Sequence, residues 1–312
     1  MITHHASLPV ICLAGPTGSG KTKTALAMAE ILNGEVVNAD SRQVYADFPC
    51  ITAQPTVQEQ AQCQHHLYGF LPSTQKISAG RWTDLAVSAV RDILKRGKTP
   101  LLVGGTGFYF HAILHGIANI PAVDPLVTAK FLERVEVEGA PHLYAELCDV
   151  DPVYAARIHP HDRQRIVRAL EVFWGTGHSF SWWHANASLS SPCTGPLLML
   201  DASISWLEPR LAQRQKIMLD SGALDEARKA LSNCNDATAP GWSGIGCAEI
   251  MDFLLGKTGW DECLRLWLQH TRAYAKRQLT WFHSRREAIR LPPDDINAAL
   301  KAGREIWRSI AP

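Results

Sequence analysis

At 312 residues, 46% hydrophobic and 20% charged with a formal net charge of +1, the chain has the makeup of a folded globular protein, long enough for a core domain carrying an insertion. No biased tract argues for disorder, and no run reaches the roughly 18 apolar residues of a membrane-spanning helix. The neutral balance excludes a uniformly basic, nucleic-acid-coating surface but leaves room for local basic clusters.

The apolar run at residues 8–14 leads straight into a glycine-rich loop, without a basic flank or small-residue cleavage site, so it reads as a first strand and not a secretory signal. A helix is expected over residues 21–32, a second strand at GEVVNAD (34–40) and a third at HHLYGFL (65–71). A helix over 80–96 then precedes a fourth strand, TPLLVGG (99–105). Strands that are apolar throughout and alternate with amphipathic helices predict a parallel sheet covered on both faces. From about residue 119 to 195 the pattern turns helical, and GPLLMLD (195–201) returns to a buried strand, with EAIRLP (287–292) as another. Between those two lie a pair of amphipathic helices, a glycine-rich link APGWSGIGCAEI (239–250) and a long basic helix over about 261–285. The expected fold class is therefore α/β: a P-loop parallel-sheet core from residues 1–118 and 196–312, with an inserted all-helical domain at 119–195.

GPTGSGKT (15–22) fits G-x-x-x-x-G-K-[ST] between a strand and a helix, the context in which backbone N–H groups and a lysine cradle phosphates. Gly15, Pro16, Thr17, Gly18, Ser19, Gly20, Lys21 and Thr22 are the expected phosphate-binding residues, with Lys21 on the terminal phosphate and Thr22 on a Mg2+ ion. Lys23 stands where a dinucleotide-binding loop needs its third glycine. The strand end GGTG (104–107) has no carboxylate to help hold magnesium, which disfavours ATP hydrolysis. It suggests a second small-residue loop through which backbone and the Thr106 hydroxyl reach the ligand, or a plain glycine-rich turn. Asp40 and Ser41 follow the second strand, at the edge where parallel sheets bind ligands. Asp40 there is a magnesium ligand, a general base or a helix cap. In DRQRIVRALEV (162–172), Arg165 and Arg168 share one helix face, which could also be an ordinary solvated face. Trp174, Trp182 and Trp183 are expected to pack within the insertion more readily than to stack on bases. With neither a secretory signal nor a spanning segment the protein is expected to be cytoplasmic; the eight cysteines form no C-x-x-C pair, which predicts free thiols, and Cys63 beside His65 and His66 lacks the second ligand pair of a zinc site.

Taken together, GPTGSGKT, NADSRQVY, PLLVGGTGFY, RIHPHDRQRIVRALEV and TRAYAKRQLTWF resemble the bacterial tRNA dimethylallyltransferase (tRNA isopentenyl-diphosphate transferase) family, over nearly the whole chain. The resemblance implies transfer of a dimethylallyl group from dimethylallyl diphosphate to the exocyclic amine of the adenosine 3′ of the anticodon. It implies a phosphate loop that grips a leaving diphosphate, with Asp40, Thr106 and Lys21 as catalytic residues. It also implies tRNA contacts from Asp40, Ser41, Arg42, Gln43 and Thr106, and from Gln164, Arg165, Ile166, Val167 and Arg168 on the insertion. The partners would be the anticodon stem-loop of tRNA and dimethylallyl diphosphate, with no membrane and a monomeric enzyme. Two positions depart from the family pattern. Cys247 and Ala248 stand where many relatives have an aromatic and a basic residue, with Arg272, Lys276 or Arg277 as candidate substitutes, and Thr128 replaces an arginine. The alternative activity, favoured by the phosphate loop alone, is an ATP-dependent small-molecule or nucleoside kinase.

Overall fold

The computed structural model describes residues 7–311, which divide into two compact units, one formed by the chain up to His115 and from Ser191 onward, the other by Gly116–Ser190. The first opens with β1 (Leu8–Pro9), β2 (Ile11–Ala14), α1 (Lys21–Leu32), β3 (Gly34–Asn38), α2 (Val57–Gln60), β4 (His65–His66), α3 (Ala79–Lys95), β5 (Thr99–Gly104) and α4 (Gly107–His115). The second contains α5 (Pro125–Val137), α6 (Ala140–Val150), α7 (Pro152–Ala155), α8 (Arg163–Thr176) and α9 (Phe180–Ala185). The first unit resumes with β6 (Cys193–Thr194), β7 (Leu197–Leu200), α10 (Ile204–Asp220), α11 (Ala223–Asn233), α12 (Cys247–Leu254), α13 (Trp260–His283), β8 (Ile289–Leu291) and α14 (Ile296–Ile310).

Six strands form one parallel sheet in the order β4-β3-β5-β2-β7-β8, and β1 pairs separately with β6. Period-two alternation explains why the central strands read as continuously apolar, because both faces are covered. Cys12, Ala14, Val37, Leu102, Leu197 and Met199 face one core with Trp82, Phe110 and Phe282. Ile11, Leu13, Val36, Leu101, Val103, Leu198 and Leu200 face the other with Met28 of α1 and Ala299 of α14. The register Ala14↔Gly104 and Asn38↔Val103 brings the carboxyl ends of β2, β5 and β3 to one edge of the sheet.

The expected third strand is shortened to His65–His66, because Leu67 (φ 63°) and Gly69 (φ 53°) turn the chain out of the ladder, leaving only the isolated bridge Tyr45↔Leu71. The glycine-rich link folds into a 3-10 turn, Pro240–Ser243, and then α12. The C-terminal helix α14 was not read from the sequence; its small residues Ala299 and Gly303 let it lie against α1, with Gly303 close to Met28. Glu35, fully buried on β3, is ion-paired with Arg96, Lys98 and His66, so His66 is engaged with a carboxylate and not with Cys63.

The helical unit packs Phe131, Val135, Leu143, Leu147, Ile166, Val167 and Leu170 into its own core. Buried Asp151 joins its short helices by accepting from the backbone N–H groups of Tyr154 (3.1 Å) and Ser181 (2.8 Å). Trp183 is tied to the Thr176 hydroxyl at 2.9 Å, whereas Trp174 and Trp182 stay 58% and 40% exposed, so packing accounts for only part of this aromatic tract.

Candidate active site

Residues 15–22 leave β2 and enter α1, and the turn depends on Gly18 and Gly20, whose φ values of 81° and 89° are left-handed. A Cβ on Gly18 would also stand 2.9 Å from Leu211 of α10. Lys21 reaches back over the loop and donates to the carbonyls of Gly15 (2.9 Å) and Pro16 (2.8 Å). Burial lowers its ammonium to about 8, with Arg214 pushing the same way against the opposing pull of Asp40. The eight residues of the loop do not serve alike. Pro16 has no N–H, the Thr17 N–H is donated to Gln278 Oε1 at 2.9 Å, and Ser19 is fully buried with its N–H turned to the Pro16 carbonyl. The backbone N–H groups of Gly18, Gly20, Lys21 and Thr22 lie at the positive end of α1, where they can meet an anion.

Asp40 is held by its own strand. The buried Asn38 side chain accepts from the Asp40 N–H (2.8 Å) and donates to the carbonyls of Asp40 (3.0 Å) and Leu67 (2.9 Å). Asp40 Oδ1 accepts from the Arg42 N–H at 2.8 Å, which caps a turn; no helix begins there, so the helix-cap reading is replaced by an Asx turn. Thr106 Oγ1 accepts from the Ser41 N–H at 2.9 Å and donates to Ser41 Oγ at 3.2 Å, linking the end of β5 to the end of β3. The glycines around Thr106 serve packing. A Cβ would lie 2.1 Å from the Ala39 carbonyl at Gly104, 2.1 Å from Gln278 Nε2 at Gly105 and 2.2 Å from the Trp281 ring at Gly107. The Gly-Gly-Thr-Gly turn is thus a close-packed joint more than an open ligand loop.

These strand ends open on a cavity of about 800 Å³. Lys21, Thr22, Asp40, Arg42 and Gln43 line it, as do Arg210 and Arg214 of α10, Tyr274 and Arg277 of α13, and Tyr68. Leu211, Ile217, Met218, Ile51, Ile245 and Trp267 supply apolar walls. Burial first, and Asp40 second, push the phenols of Tyr68, Tyr109 and Tyr274 up, so all three remain neutral near that carboxylate. Burial lowers the Arg214 guanidinium against the attraction of Asp40 and Glu59.

Sequence reasoning missed Asn38, Arg214 and Gln278. The N-A-D spacing permits an Asx turn, whereas nothing local in α10 or α13 announces that Arg214 and Gln278 face the loop. Both Nε2 donors of Gln43 are spent on the Thr52 and Ala53 carbonyls, so its amide fastens a cavity wall. In the helical unit, Gln164, Arg165 and Arg168 are exposed, but Ile166 and Val167 are core residues whose side chains cannot meet RNA. Arg168 pairs with Glu171 at 2.6 Å, and Arg165 lies 3.4 Å from Asp162. At the two departures, Cys247 is buried, Arg272 is ion-paired with Glu208, and Arg277 lines the cavity; Thr128 lies on α5. Among the described residues, no helix is long and apolar enough to cross a membrane.

The family model for IPP transferase matches residues 43–286. A tRNA dimethylallyltransferase of Desulfovibrio desulfuricans is 65% identical over 95% of this chain and 92% of its own length. One from Nitratidesulfovibrio vulgaris is 53% identical, covering 93% and 90%. Among solved structures, the full-length tRNA isopentenylpyrophosphate transferase of Bacillus halodurans superposes with a TM-score of 0.68 at 30% identity, covering 96% of each chain. A eukaryotic dimethylallyltransferase acting on tRNA gives 0.79 at 29% identity, covering 98% of this chain and 78% of that one. With the phosphate loop, Asp40 and Thr106 meeting at one sheet edge, the chain belongs to the IPP transferase family of tRNA-modifying prenyltransferases.

Proposed function

We propose that the chain transfers a dimethylallyl group from dimethylallyl diphosphate to the exocyclic amine of the adenosine 3′ of the anticodon in tRNA, releasing diphosphate. The observation that carries this reading is the convergence of an anion cradle and a carboxylate on one cavity with apolar walls. The adenine amine is a weak nucleophile because its lone pair is delocalised into the ring. As it attacks the allylic carbon, the C–O bond to diphosphate breaks and Asp40 takes the amine proton. Negative charge gathers on the departing diphosphate, where Lys21, Arg214 and the backbone N–H groups of Gly18, Gly20, Lys21 and Thr22 stabilise it. Thr106 keeps the Ser41 turn, and with it Asp40, at the reacting amine. The apolar walls receive the prenyl chain and exclude water, which would otherwise intercept the allylic centre.

A Mg2+ ion fits this chemistry. Among the described residues no cluster of three or more His, Cys, Asp or Glu could hold a metal alone, and the Thr22 hydroxyl on the cavity wall suits an ion carried mainly by diphosphate oxygens and water. Thr22 would hold it, and its contribution would be further neutralisation of the leaving group.

Residues 119–195 would bind the anticodon stem-loop through Gln164, Arg165 and Arg168, with Arg42 contributing from the core. These contacts would offset the few kcal/mol needed to unstack the target base. Labelled dimethylallyl diphosphate and undermodified tRNA, incubated with Mg2+ and without ATP, should yield labelled RNA. A requirement for ATP, or phosphorylation of a small molecule in its place, would return the kinase reading.

A further inference from the structure

We propose that Gln278 is a positioning residue that locks the phosphate loop to the strand end carrying Thr106, fixing the spacing between the departing diphosphate and Asp40. This rests on the prenyl-transfer reading given above. Gln278 projects from α13 and is 5% exposed. Its Oε1 accepts from the Thr17 N–H and its Nε2 donates to the Gly105 carbonyl, both at 2.9 Å. One amide therefore ties the loop leaving β2 to the turn leaving β5. A Cβ on Gly105 would lie 2.1 Å from Gln278 Nε2 and 3.4 Å from Asp40 Oδ2, so the Gly105 turn lies against both the amide and the carboxylate. The neighbouring Thr106 holds the Ser41 turn, and Tyr274, one turn earlier on α13, lines the cavity together with Asp40. The leaving-group site and the base site are thus referred to the same helix.

The bridge needs an acceptor and a donor on one short planar group, which the Gln amide supplies without charge. Displacement at the allylic carbon requires leaving group, carbon and amine in near-attack alignment, where a misplacement of about 1 Å costs on the order of 100-fold in rate. A protonated Glu is the closest substitute: its carbonyl oxygen can accept from Thr17 and its O–H can donate to Gly105. Ionised Glu keeps the acceptor but sets an anion against the Gly105 carbonyl. Burial and that carbonyl both raise the pKa of such a group.

The test uses full-length wild type, Gln278→Met and Gln278→Glu, with kcat, donor KM and tRNA Kd measured from pH 5.5 to 8.5. The folded fraction is followed by circular dichroism at the assay temperature. Gln278→Met should lower kcat about 10- to 100-fold at every pH, with tRNA Kd within about twofold. The activity of Gln278→Glu relative to wild type should rise as pH falls, approaching tenfold per unit above the pKa of the introduced carboxyl. A pH-independent ratio for Gln278→Glu overturns the proposal. So does a Gln278→Met loss that is less than about twofold, or fully accounted for by its unfolded fraction. Absence of prenyl transfer by wild type itself would instead overturn the functional reading.

Discussion

Replacing Asn38 by Ala isolates what holds the Asp40 carboxylate in place. The Asn38 side chain is fully buried and makes three hydrogen bonds, two with the Asp40 backbone and one with the Leu67 carbonyl. At about 0.5–1.5 kcal/mol each, their removal should cost on the order of 3 kcal/mol, with the Leu67 turn (φ 63°) losing the bond that supports its left-handed backbone. Urea unfolding at pH 7 reads that loss directly. In steady state, kcat should fall, because the Asp40 turn is released, while donor KM stays within about threefold, because the Asn38 side-chain hydrogen bonds go to Asp40 and Leu67 and not to the phosphate loop. Asn38→Asp is the decisive companion: equal in size, it replaces the two N–H donors with an oxygen facing two carbonyls, so it should be no better than Ala. An Asn38→Asp variant with wild-type stability and turnover would refute the reasoning, as would a loss below about 0.5 kcal/mol in Asn38→Ala with unchanged kcat.

With Lys21 at about 8 in the free protein, the cradle is fully charged below that pH and loses charge above it. Donor kcat/KM should therefore fall toward one decade per unit between about pH 8 and 9.5, and a flat profile there would contradict the lowered pKa of Lys21. Glu35 is held down to about 2, first by Arg96, with Lys98 and His66 assisting against burial. Its depressed pKa gives stability that is present above the unfolded value of about 4.3 and is lost as pH falls through 2. Glu35→Gln should thus cost on the order of 3 kcal/mol in urea unfolding at pH 7 and about half that at pH 3; equal costs at both would sink the linkage. Arg168→Ala should weaken tRNA binding and reduce the slope of log Kd against log salt by about 0.7–0.9, and an unaltered slope would take Arg168 out of the interface.

The parallel sheet was legible because a strand buried on both faces must be apolar throughout, as Ile11–Ala14 and Leu197–Leu200 are. The phosphate loop was legible because its glycines have local backbone duties. The third strand misled because the apolar run HHLYGFL does not reveal that Leu67 turns it out of the sheet after two residues. Ile166 and Val167 could not be separated from Arg165 and Arg168 by a motif that treats the segment as one unit, although helical periodicity puts them on different faces of α8. Gln278 and Arg214 lay beyond sequence reading, because their distant helices reach the loop only through tertiary packing.

A phosphate loop is indifferent to what its phosphates are attached to; the neighbouring strand ends decide. Beside β2, the end of β5 has its glycines filled by Ala39, Gln278 and Trp281, so an acid side chain in their place would collide with these neighbours. The carboxylate comes instead from the end of β3, two strands from the loop, or about 9–10 Å across the sheet at the usual strand spacing. At that separation the acid repels the diphosphate less than it would from β5. If Asp40 is the base proposed above, the gap would leave room for a five-carbon group between the oxygen that departs and the nitrogen that arrives. A metal-assisted hydrolase gains from an acid next to the phosphates; a transferase that must take a proton from a distant amine while an anion leaves gains from keeping the two apart.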